Sequence, residues 1–440
     1  MTQPRLAVPL GALRGLLQRP LASYYLLLAS VGLLVSIGLV MVFSATSVSS
    51  YVMSGNAFTV AAKQAMWAGL GIVGFWLFQR LPVSTYRSIG TPLIWMSIPI
   101  QLFMLIGGEW GGELVDGGCQ GCLQVGPMQV DAEGIWLHFG TMQVQPAEFA
   151  KLALVLWTAE ILVRKRKLLS IPRQLAIPLF PVAGLLLILV GIHDLGTMIT
   201  MLTIFGALLW IGGVRSRFLG MLIGIAATGV VTLILTAGYR SERLASFLHP
   251  ELDPTGHGLQ AMQSYYAISR GGWFGVGLGA SSLKWGRLPE SANDFIYAIV
   301  AEELGVIGCV VILALFAVLT YAGLRIATRS ADPFRRLAAG ATTIWLATQA
   351  ILNIGVVIGL VPITGVTLPF ISAGGSSLVV SLAAVGMLAS FARSEPAAVA
   401  ALHAKPPAKW SRLLWAPLPP LPASGRSASH TREKATVSPS

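Results

Sequence analysis

The chain has 440 residues, of which 55% are hydrophobic and only 11% are charged, and its formal net charge is +12. Soluble domains carry roughly 25% charged residues, so a soluble enzyme, a disordered chain and a disulfide-rich secreted module are all excluded. A polytopic membrane protein remains, and the distribution of its basic residues has to explain the net charge.

A bilayer core of about 30 Å requires roughly 20 helical residues, and ten segments with few or no charges reach or approach that length. The first eight are Tyr24–Phe43, Gln64–Gln79, Ser88–Gly108, Phe149–Val163, Gln174–His193, Leu195–Val214, Phe218–Tyr239 and Phe295–Leu324. The uncharged stretch from Leu337 to Ala392 is split into the last two by Pro362 and by the residues Gly365 to Pro369. The sequence therefore predicts an all-α polytopic membrane protein with about ten transmembrane helices within residues 24–393.

The basic residues lie mainly on one side of these segments. If the N-terminus is cytoplasmic, 23 of the 30 Lys and Arg residues are cytoplasmic, whereas the outside segment Gly107–Glu148 has six acids and no Lys or Arg. The positive-inside rule then places both termini in the cytoplasm. The net charge is therefore mainly a topology signal, and nucleic-acid binding is not favoured. Residues 1–23 are a basic segment before the first span, which we interpret as a signal anchor without a cleavage site.

Residues 394–440 are rich in Pro, Ala and Ser, and are predicted to form a disordered, basic cytoplasmic tail. Within this tail, the segment Trp410 to Trp415 is amphipathic. It indicates contact with membrane lipid or with a partner protein.

The chain has three cysteines. Cys119 and Cys122 form a CxxC motif in the first outside loop, and Cys309 lies in a span. A lone CxxC motif lacks the second pair of ligands of a structural zinc site, so a local disulfide and two free thiols both remain open. No metal-ligand cluster is evident in the sequence.

Two outside loops are long, 107–148 and 238–294, and long loops in compact proteins usually have a function. The second loop contains five basic and five acidic residues and the glycines Gly271, Gly272, Gly275, Gly277 and Gly279. Its cations could hold the phosphate of an amphiphilic substrate. Alternatively, the glycines could only permit the tight turns of a folded cap. Composition does not distinguish these two interpretations.

Asp294 lies where the second outside loop meets an apolar helix. Its carboxylate could stabilise the N-terminus of that helix, or it could serve as a general base beside the open loop. Glu302 and Glu303 follow two turns later. Because Asp294 and Glu302 are eight residues apart, roughly on one helical face, their carboxylates could face one cavity. Acids within a span are costly and are functional candidates by default.

Three further features lie at the ends of apolar spans: two polar positions and an uncharged loop. Asp194 lies in a short turn between two spans and is expected to cap the second. Glu148 and Lys151 are three residues apart and can form an ion pair, although Lys151 could instead bind a phosphate. The uncharged loop Pro362–Ser377 is broken by Gly and Pro, so it must be buried in protein or line a cavity.

Five blocks of the sequence resemble the SEDS family (shape, elongation, division, sporulation) and occur in the family's order. They are Gln145–Lys151, His193–Thr197, Leu288–Ala298, Ala301–Gly305 and Leu368–Ser377. The stretch Arg329–Leu337 and the long basic tail look most like the division-type members of actinobacteria.

The resemblance implies a peptidoglycan glycosyltransferase in the cytoplasmic membrane that polymerises lipid II at the division septum. The acceptor 4-hydroxyl would attack the anomeric carbon of the donor and displace undecaprenyl pyrophosphate with inversion. Asp294 matches the essential loop carboxylate of the family, its proposed base. The other residues expected to contact or surround the substrate are Lys151, Glu148, Asp194, Glu302, Glu303, Arg243, Arg270, Lys284 and Trp136.

One position departs from the family pattern. Ile135 precedes Trp136 where the family usually has Arg, so another cation would have to replace any substrate contact of that Arg. The resemblance also implies a class B penicillin-binding protein as transpeptidase partner, together with other division proteins. A divalent cation near the pyrophosphate is left open as a cofactor.

Two alternatives to the enzyme are kept. The first alternative is a lipid II flippase, which is consistent with ten spans that carry charged residues such as Lys151, Glu160 and Glu302. A non-catalytic division scaffold would need no loop carboxylate.

Overall fold

The structure is a computed structural model that describes residues 15, 19–109, 114–115, 118–119, 124–125, 128–131, 134–140, 142–166, 172–236, 238–253 and 256–421. Helices dominate these residues. In chain order they are α1 (Ala22–Ser54), α2 (Thr59–Phe78), α3 (Val83–Glu109), α4 (Pro146–Arg164), α5 (Pro172–Gly191), α6 (Leu195–Ile211), α7 (Ser216–Thr236), α8 (Gly238–Leu248), α9 (His257–Gly271), α10 (Ile296–Arg329), α11 (Pro333–Val357), α12 (Gly375–Arg393), α13 (Pro396–Ala404) and α14 (Lys409–Leu414).

Seven of the helices in the described ranges, α1 to α3, α7 and α10 to α12, are long and apolar enough to cross a membrane. Helices α5 and α6 contain shorter apolar stretches, Leu179–Gly191 and Leu195–Ile211. Helix α4 coincides with the remaining predicted span, and its buried charged residues distinguish it from the others. The helical membrane-protein fold predicted from the sequence is therefore confirmed.

Helices α4, α11 and α12 form the centre of the bundle, and most of their residues are buried. Helix α12 packs along α2, α4 along α3, and α10 along both α1 and α11. A Cβ atom at Gly386 of α12 would lie 2.4 Å from the carbonyl oxygen of Phe75 in α2. Small residues of this kind allow two membrane helices to pack backbone against backbone.

Helices α4, α6 and α10 begin at one end of the bundle, which we call the outer end after the predicted orientation. Residues 238–253 and 256–294 lie there and are called the cap. The cap contains α8, a 3-10 turn at Pro250–Leu252 and α9. Helix α9 packs against α10, which connects the cap to the bundle.

The first outside loop forms antiparallel strands that the sequence did not predict. Strand β1 (Leu114–Val115) pairs with β2 (Gly118–Cys119). The second sheet has the order β3 (Gln124–Val125), β4 (Met128–Val130), β5 (Leu137–Phe139) and β6 (Met142–Val144). Strands of two or three residues are too short to show a period-2 pattern. Cys122 lies outside the described residues, so the CxxC prediction remains open.

The tail predicted to be disordered is in part ordered against the inner end of the bundle. Helices α13 and α14 follow α12, and Arg393 donates a hydrogen bond of 3.0 Å to the carbonyl oxygen of Pro417. The amide of Gln79 donates to the carbonyl oxygen of Trp415 at 3.0 Å. Residues 422–440 lie outside the described residues.

Candidate active site

Asp294 is the last residue of the cap and is partly buried. Helix α10 begins at Ile296 with Phe295 as its N-cap residue, so Asp294 precedes the helix. Asp294 therefore lies just before the N-terminus of α10 and not within its first turn.

Buried side chains hold the backbone at Asp294. The amide nitrogen of Asn353, in α11, donates to the carbonyl oxygens of Asp294 and Val366, each at 2.8 Å. The hydroxyl of Ser372 donates to the carbonyl oxygen of Asn293 at 2.7 Å. Because Asn353 and Ser372 are both buried, these bonds form away from water and fix the position of the Asp294 backbone.

The loop between α11 and α12 supplies part of this support and is mostly buried, as the sequence predicted. The backbone N–H of Ala373 donates to the carbonyl oxygen of Ala292 at 3.0 Å. The amide of Gln64 donates to the carbonyl oxygen of Ser372 at 3.1 Å, and the N–H of Leu368 donates to the Ser372 hydroxyl at 2.9 Å. The loop thus lies between α2 and the end of the cap.

Three charged residues act on the carboxyl group of Asp294. Burial raises its pKa to about 7, the negative charges of Glu290 and Asp194 raise it as well, and the positive charge of Arg243 lowers it. We call these four residues the outer site. A carboxyl group with this pKa is partly ionised at neutral pH, so it can accept a proton from a substrate.

Asp194 caps α6, as the sequence predicted. Its Oδ1 accepts a hydrogen bond of 2.8 Å from the N–H of Thr197, and its Oδ2 accepts one of 3.0 Å from the side chain of Gln145. The N–H of Gln145 in turn donates to the Ser376 hydroxyl at 3.0 Å. The pKa of Asp194 is raised, because the effect of burial exceeds the lowering by the hydrogen bond from Thr197.

Glu148 and Lys151 form the predicted ion pair at the start of α4. The Lys151 Nζ donates to Glu148 Oε1 at 2.7 Å, and both side chains are buried. The Nζ atom also lies 5.4 Å from the ring centroid of Trp345 in α11. A phosphate could reach Lys151 only by displacing protein groups that cover it.

The hydrogen-bond partners of Glu302 lie in the cap. Its fully buried carboxylate accepts hydrogen bonds of 3.1 Å from Arg270 Nη1 and from the N–H of Ser282, and a further one from the Ser281 hydroxyl. Because Asp294 precedes α10, the helical spacing used in the sequence analysis does not relate its side chain to that of Glu302.

Glu303 and Lys284 also hold the cap. Glu303 Oε1 accepts hydrogen bonds from the Ser44 hydroxyl of α1 at 2.7 Å and from the N–H of Ser281 at 3.3 Å. The Lys284 Nζ donates to the carbonyl oxygen of Gly279. Among the candidate cations in the cap, Arg243 is the one whose charge acts on Asp294.

Trp136 lies in the turn between β4 and β5. The N–H groups of Ile135 and Trp136 donate to Asp131 Oδ1 at 2.8 and 2.9 Å. Ile135 also lines a small pocket beside Asp194, together with Gln101, Gln145 and His193. The position that departs from the family pattern is therefore next to the outer site.

Within the part of the chain that the structure describes, no three His, Cys, Asp or Glu side chains are placed to hold a metal ion. The residues of the outer site therefore do not fit a protein-held metal centre, and no reaction step is assigned to one.

Sequence reasoning missed Asn353, Ser372 and the side-chain contact of Gln145 with Asp194. Asn353 is a lone amide in an apolar helix, and its partner Asp294 is 59 residues away. A buried amide in a membrane span is the signal that could have drawn attention to it.

The whole bundle has relatives. Residues 24–396 match the model of the FtsW/RodA/SpoVE family, described as cell cycle proteins. The chain belongs to this family. It is 40% identical over 405 residues to the "Probable peptidoglycan glycosyltransferase FtsW" of Mycobacterium tuberculosis, covering 92% of this chain and 74% of that protein. It is 37% identical over 362 residues to "Stage V sporulation protein E" of Bacillus subtilis, covering 82% and 94%.

Solved structures agree with this assignment. A chain of a peptidoglycan synthase complex that coordinates polymerization and crosslinking matches with a TM-score of 0.62 and 27% identity, covering 84% of this chain and 97% of that chain. The rod shape determining protein RodA of Thermus thermophilus matches with a TM-score of 0.56 and 25% identity, covering 84% and 96%. The resemblance of this chain to the SEDS family and its similarity to actinobacterial FtsW are thereby confirmed.

Proposed function

We propose that this protein is a peptidoglycan glycosyltransferase that polymerises lipid II during septal wall synthesis, with Asp294 as the general base. The observation that carries the proposal is the partly buried carboxyl group of Asp294, held at the outer end of a family member's bundle with a pKa of about 7. A base with a pKa near the working pH transfers protons efficiently.

The reaction that we propose is the one that the resemblance to the SEDS family implies, with Asp294 as the base. The acceptor 4-hydroxyl attacks the anomeric carbon of the donor, and its proton passes to the Asp294 carboxylate. The bond between the anomeric carbon and the pyrophosphate oxygen breaks as the new glycosidic bond forms. Undecaprenyl pyrophosphate leaves, and the configuration at the anomeric carbon is inverted. Arg243, whose charge already acts on Asp294, is the cation that we assign to the pyrophosphate.

The remaining residues support this arrangement. Asp194 and Gln145 connect the starts of α4 and α6, and the Glu148–Lys151 pair lies behind them. Glu302, Glu303 and Arg270 hold the cap on the bundle, and Lys284 forms a hydrogen bond within the cap. We assign them to positioning the substrate-binding surface rather than to the reaction.

We further propose that both termini are cytoplasmic, that the outer end faces away from the cytoplasm, and that the protein works with a class B penicillin-binding protein. The distribution of basic residues in the sequence supports the orientation. The similarity to a chain of a peptidoglycan synthase complex supports the partner.

Lipid II polymerisation by the full chain, together with its transpeptidase partner, tests the proposal. Asp294→Asn should lower the rate about 10²- to 10⁴-fold, which is the usual contribution of a general base. Glu290→Gln removes a neighbouring carboxylate of the same loop and should keep most of the activity. Polymerisation at the wild-type rate by a folded Asp294→Asn variant would contradict the base assignment. Flipping of labelled lipid II in vesicles without any polymerisation by the wild type would favour the flippase instead.

A further inference from the structure

The apolar segments of α1 and α10 indicate the level at which the hydrocarbon layer ends on the cap side. Helix α10 has 21 uncharged residues, Leu304–Leu324, between Glu303 and Arg325. Helix α1 is uncharged throughout, and its apolar part, the 20 residues Tyr24–Phe43, precedes a stretch rich in Ser and Thr. At 1.5 Å per residue such a segment spans about 30 Å, the thickness of a bilayer core. The hydroxyl of Ser44 donates to the Glu303 carboxylate at 2.7 Å, so both segments end at one level.

Part of the cap lies on the hydrocarbon side of that level. We call residues Gly271–Gly279 the glycine turn. The carbonyl oxygen of Gly272 accepts a hydrogen bond of 2.9 Å from the N–H of Val306, inside the uncharged segment of α10. Leu278 lines an apolar groove with Val40 of α1, which lies four residues, or about 6 Å, inside the boundary at Ser44.

Irregular backbone is tolerated at membrane depth only when its polar groups are paired within the protein. Several backbone groups of the glycine turn meet this condition because α10 is interrupted at Gly305, where φ is +66°. The carbonyl oxygens of Glu302 and Glu303 then accept hydrogen bonds from the N–H groups of Val276 and Gly277 at 2.9 and 3.1 Å.

The glycines of the turn are required by this close approach. A Cβ atom at Gly271 would lie 1.8 Å from the carbonyl oxygen of Ala301, and one at Gly275 would lie 2.1 Å from that of Glu303. Only glycine allows the turn and α10 to touch through their backbones. The glycine series therefore builds a turn against a membrane helix.

The side chains of the turn are apolar and face outward. Trp273, Phe274 and Leu278 are 72%, 82% and 60% exposed. They continue an apolar surface of α10 that includes Val306 and Ile307. Such a continuous apolar patch is unfavourable in water, and Trp is typical of the membrane interface.

We propose that the glycine turn is inserted into the outer leaflet, with Trp273, Phe274 and Leu278 in contact with the acyl chains of membrane lipids. The cap would then be anchored in the bilayer as well as in the bundle. Arg270, at the start of the turn, would lie at the level of the lipid phosphates. This inference depends on the placement of the turn and not on the reaction assigned to Asp294.

Spin labels on the full chain in lipid bilayers test the insertion. Single cysteines would replace Phe274 and Leu278 in a variant whose natural cysteines are changed to Ser. Val310→Cys, at an exposed apolar position of α10, is the lipid-facing control, and Glu251→Cys, at an exposed charged position of the cap, is the aqueous control. The collision rates of each nitroxide with oxygen and with a water-soluble nickel chelate would be measured.

Labels at Phe274 and Leu278 should lose most of the nickel-chelate collisions seen at Glu251, and their oxygen collisions should approach those at Val310. A nickel-chelate collision rate equal to that at Glu251, at either position, would overturn the proposal. All labelled side chains are on the surface, and size-exclusion chromatography of each variant would show that the fold is kept.

Discussion

The side-chain amide of Asn353 donates a hydrogen bond of 2.8 Å to the backbone carbonyl oxygen of Asp294, although the two residues are 59 positions apart in the sequence. Asn353 is fully buried, and the same nitrogen also donates to Val366. One amide thus joins the end of the cap to the loop between α11 and α12. The placement of the carboxyl group of Asp294 therefore depends on a residue that does not touch the reacting atoms.

Replacing Asn353 by Ser should lower the turnover number while leaving the KM for lipid II nearly unchanged, because the carboxyl group is misplaced and the rest of the surface is kept. A loss of about tenfold to a hundredfold is expected from a displacement of a catalytic group. Gln349→Ser is the matched control, since Gln349 is equally buried one turn earlier in α11 and its side chain makes no hydrogen bond within the described residues. Equal losses in both variants would indicate a general packing effect instead.

The polymerisation rate should rise with pH through about 7 and then level off. The base must be ionised, and with a pKa of about 7 only about one tenth of Asp294 is ionised at pH 6. Rates measured between about pH 5.5 and about pH 8.5, a range that brackets this pKa, would show the rise. A flat profile would contradict the assignment of Asp294 as the base.

Two substitutions that each remove a charge should shift the pH profile of the polymerisation rate in opposite directions. Glu290 raises the pKa of Asp294, so Glu290→Gln should move the rise to lower pH. Arg243 lowers the pKa, so Arg243→Gln should move the rise to higher pH, besides weakening substrate binding. Shifts of the same sign in both variants would show that the midpoint belongs to another group.

The parts of the site that the sequence predicted depend on local spacing. The Glu148–Lys151 pair follows from two residues one turn apart, and Asp194 caps the helix that it precedes. The contact between Asn353 and Asp294 depends on how distant segments pack, so no local pattern reveals it. The prediction that Glu302 and Asp294 face one cavity assumed a helix that starts at Asp294, whereas α10 starts two residues later.

Lys151→Met should destabilise the protein by about 3–5 kcal/mol, because it leaves the buried carboxylate of Glu148 without its cation. The double variant Glu148→Gln, Lys151→Met removes both charges and should recover most of that loss. Thermal unfolding of the purified variants in detergent measures the difference. A double variant as unstable as the single one would show that the two charges do not compensate each other.

Trp415→Ala should release the segment that contains α14 from the inner end of the bundle. The Trp415 indole donates a hydrogen bond to the Tyr24 hydroxyl, and its ring centroid lies 6.1 Å from that of Phe75. The variant should therefore be cleaved faster by trypsin after Arg412 than the wild type. Trp410→Ala is the matched control, because Trp410 is 73% exposed and should leave the cleavage rate unchanged. Equal protection in all three proteins would show that Trp415 does not hold this segment.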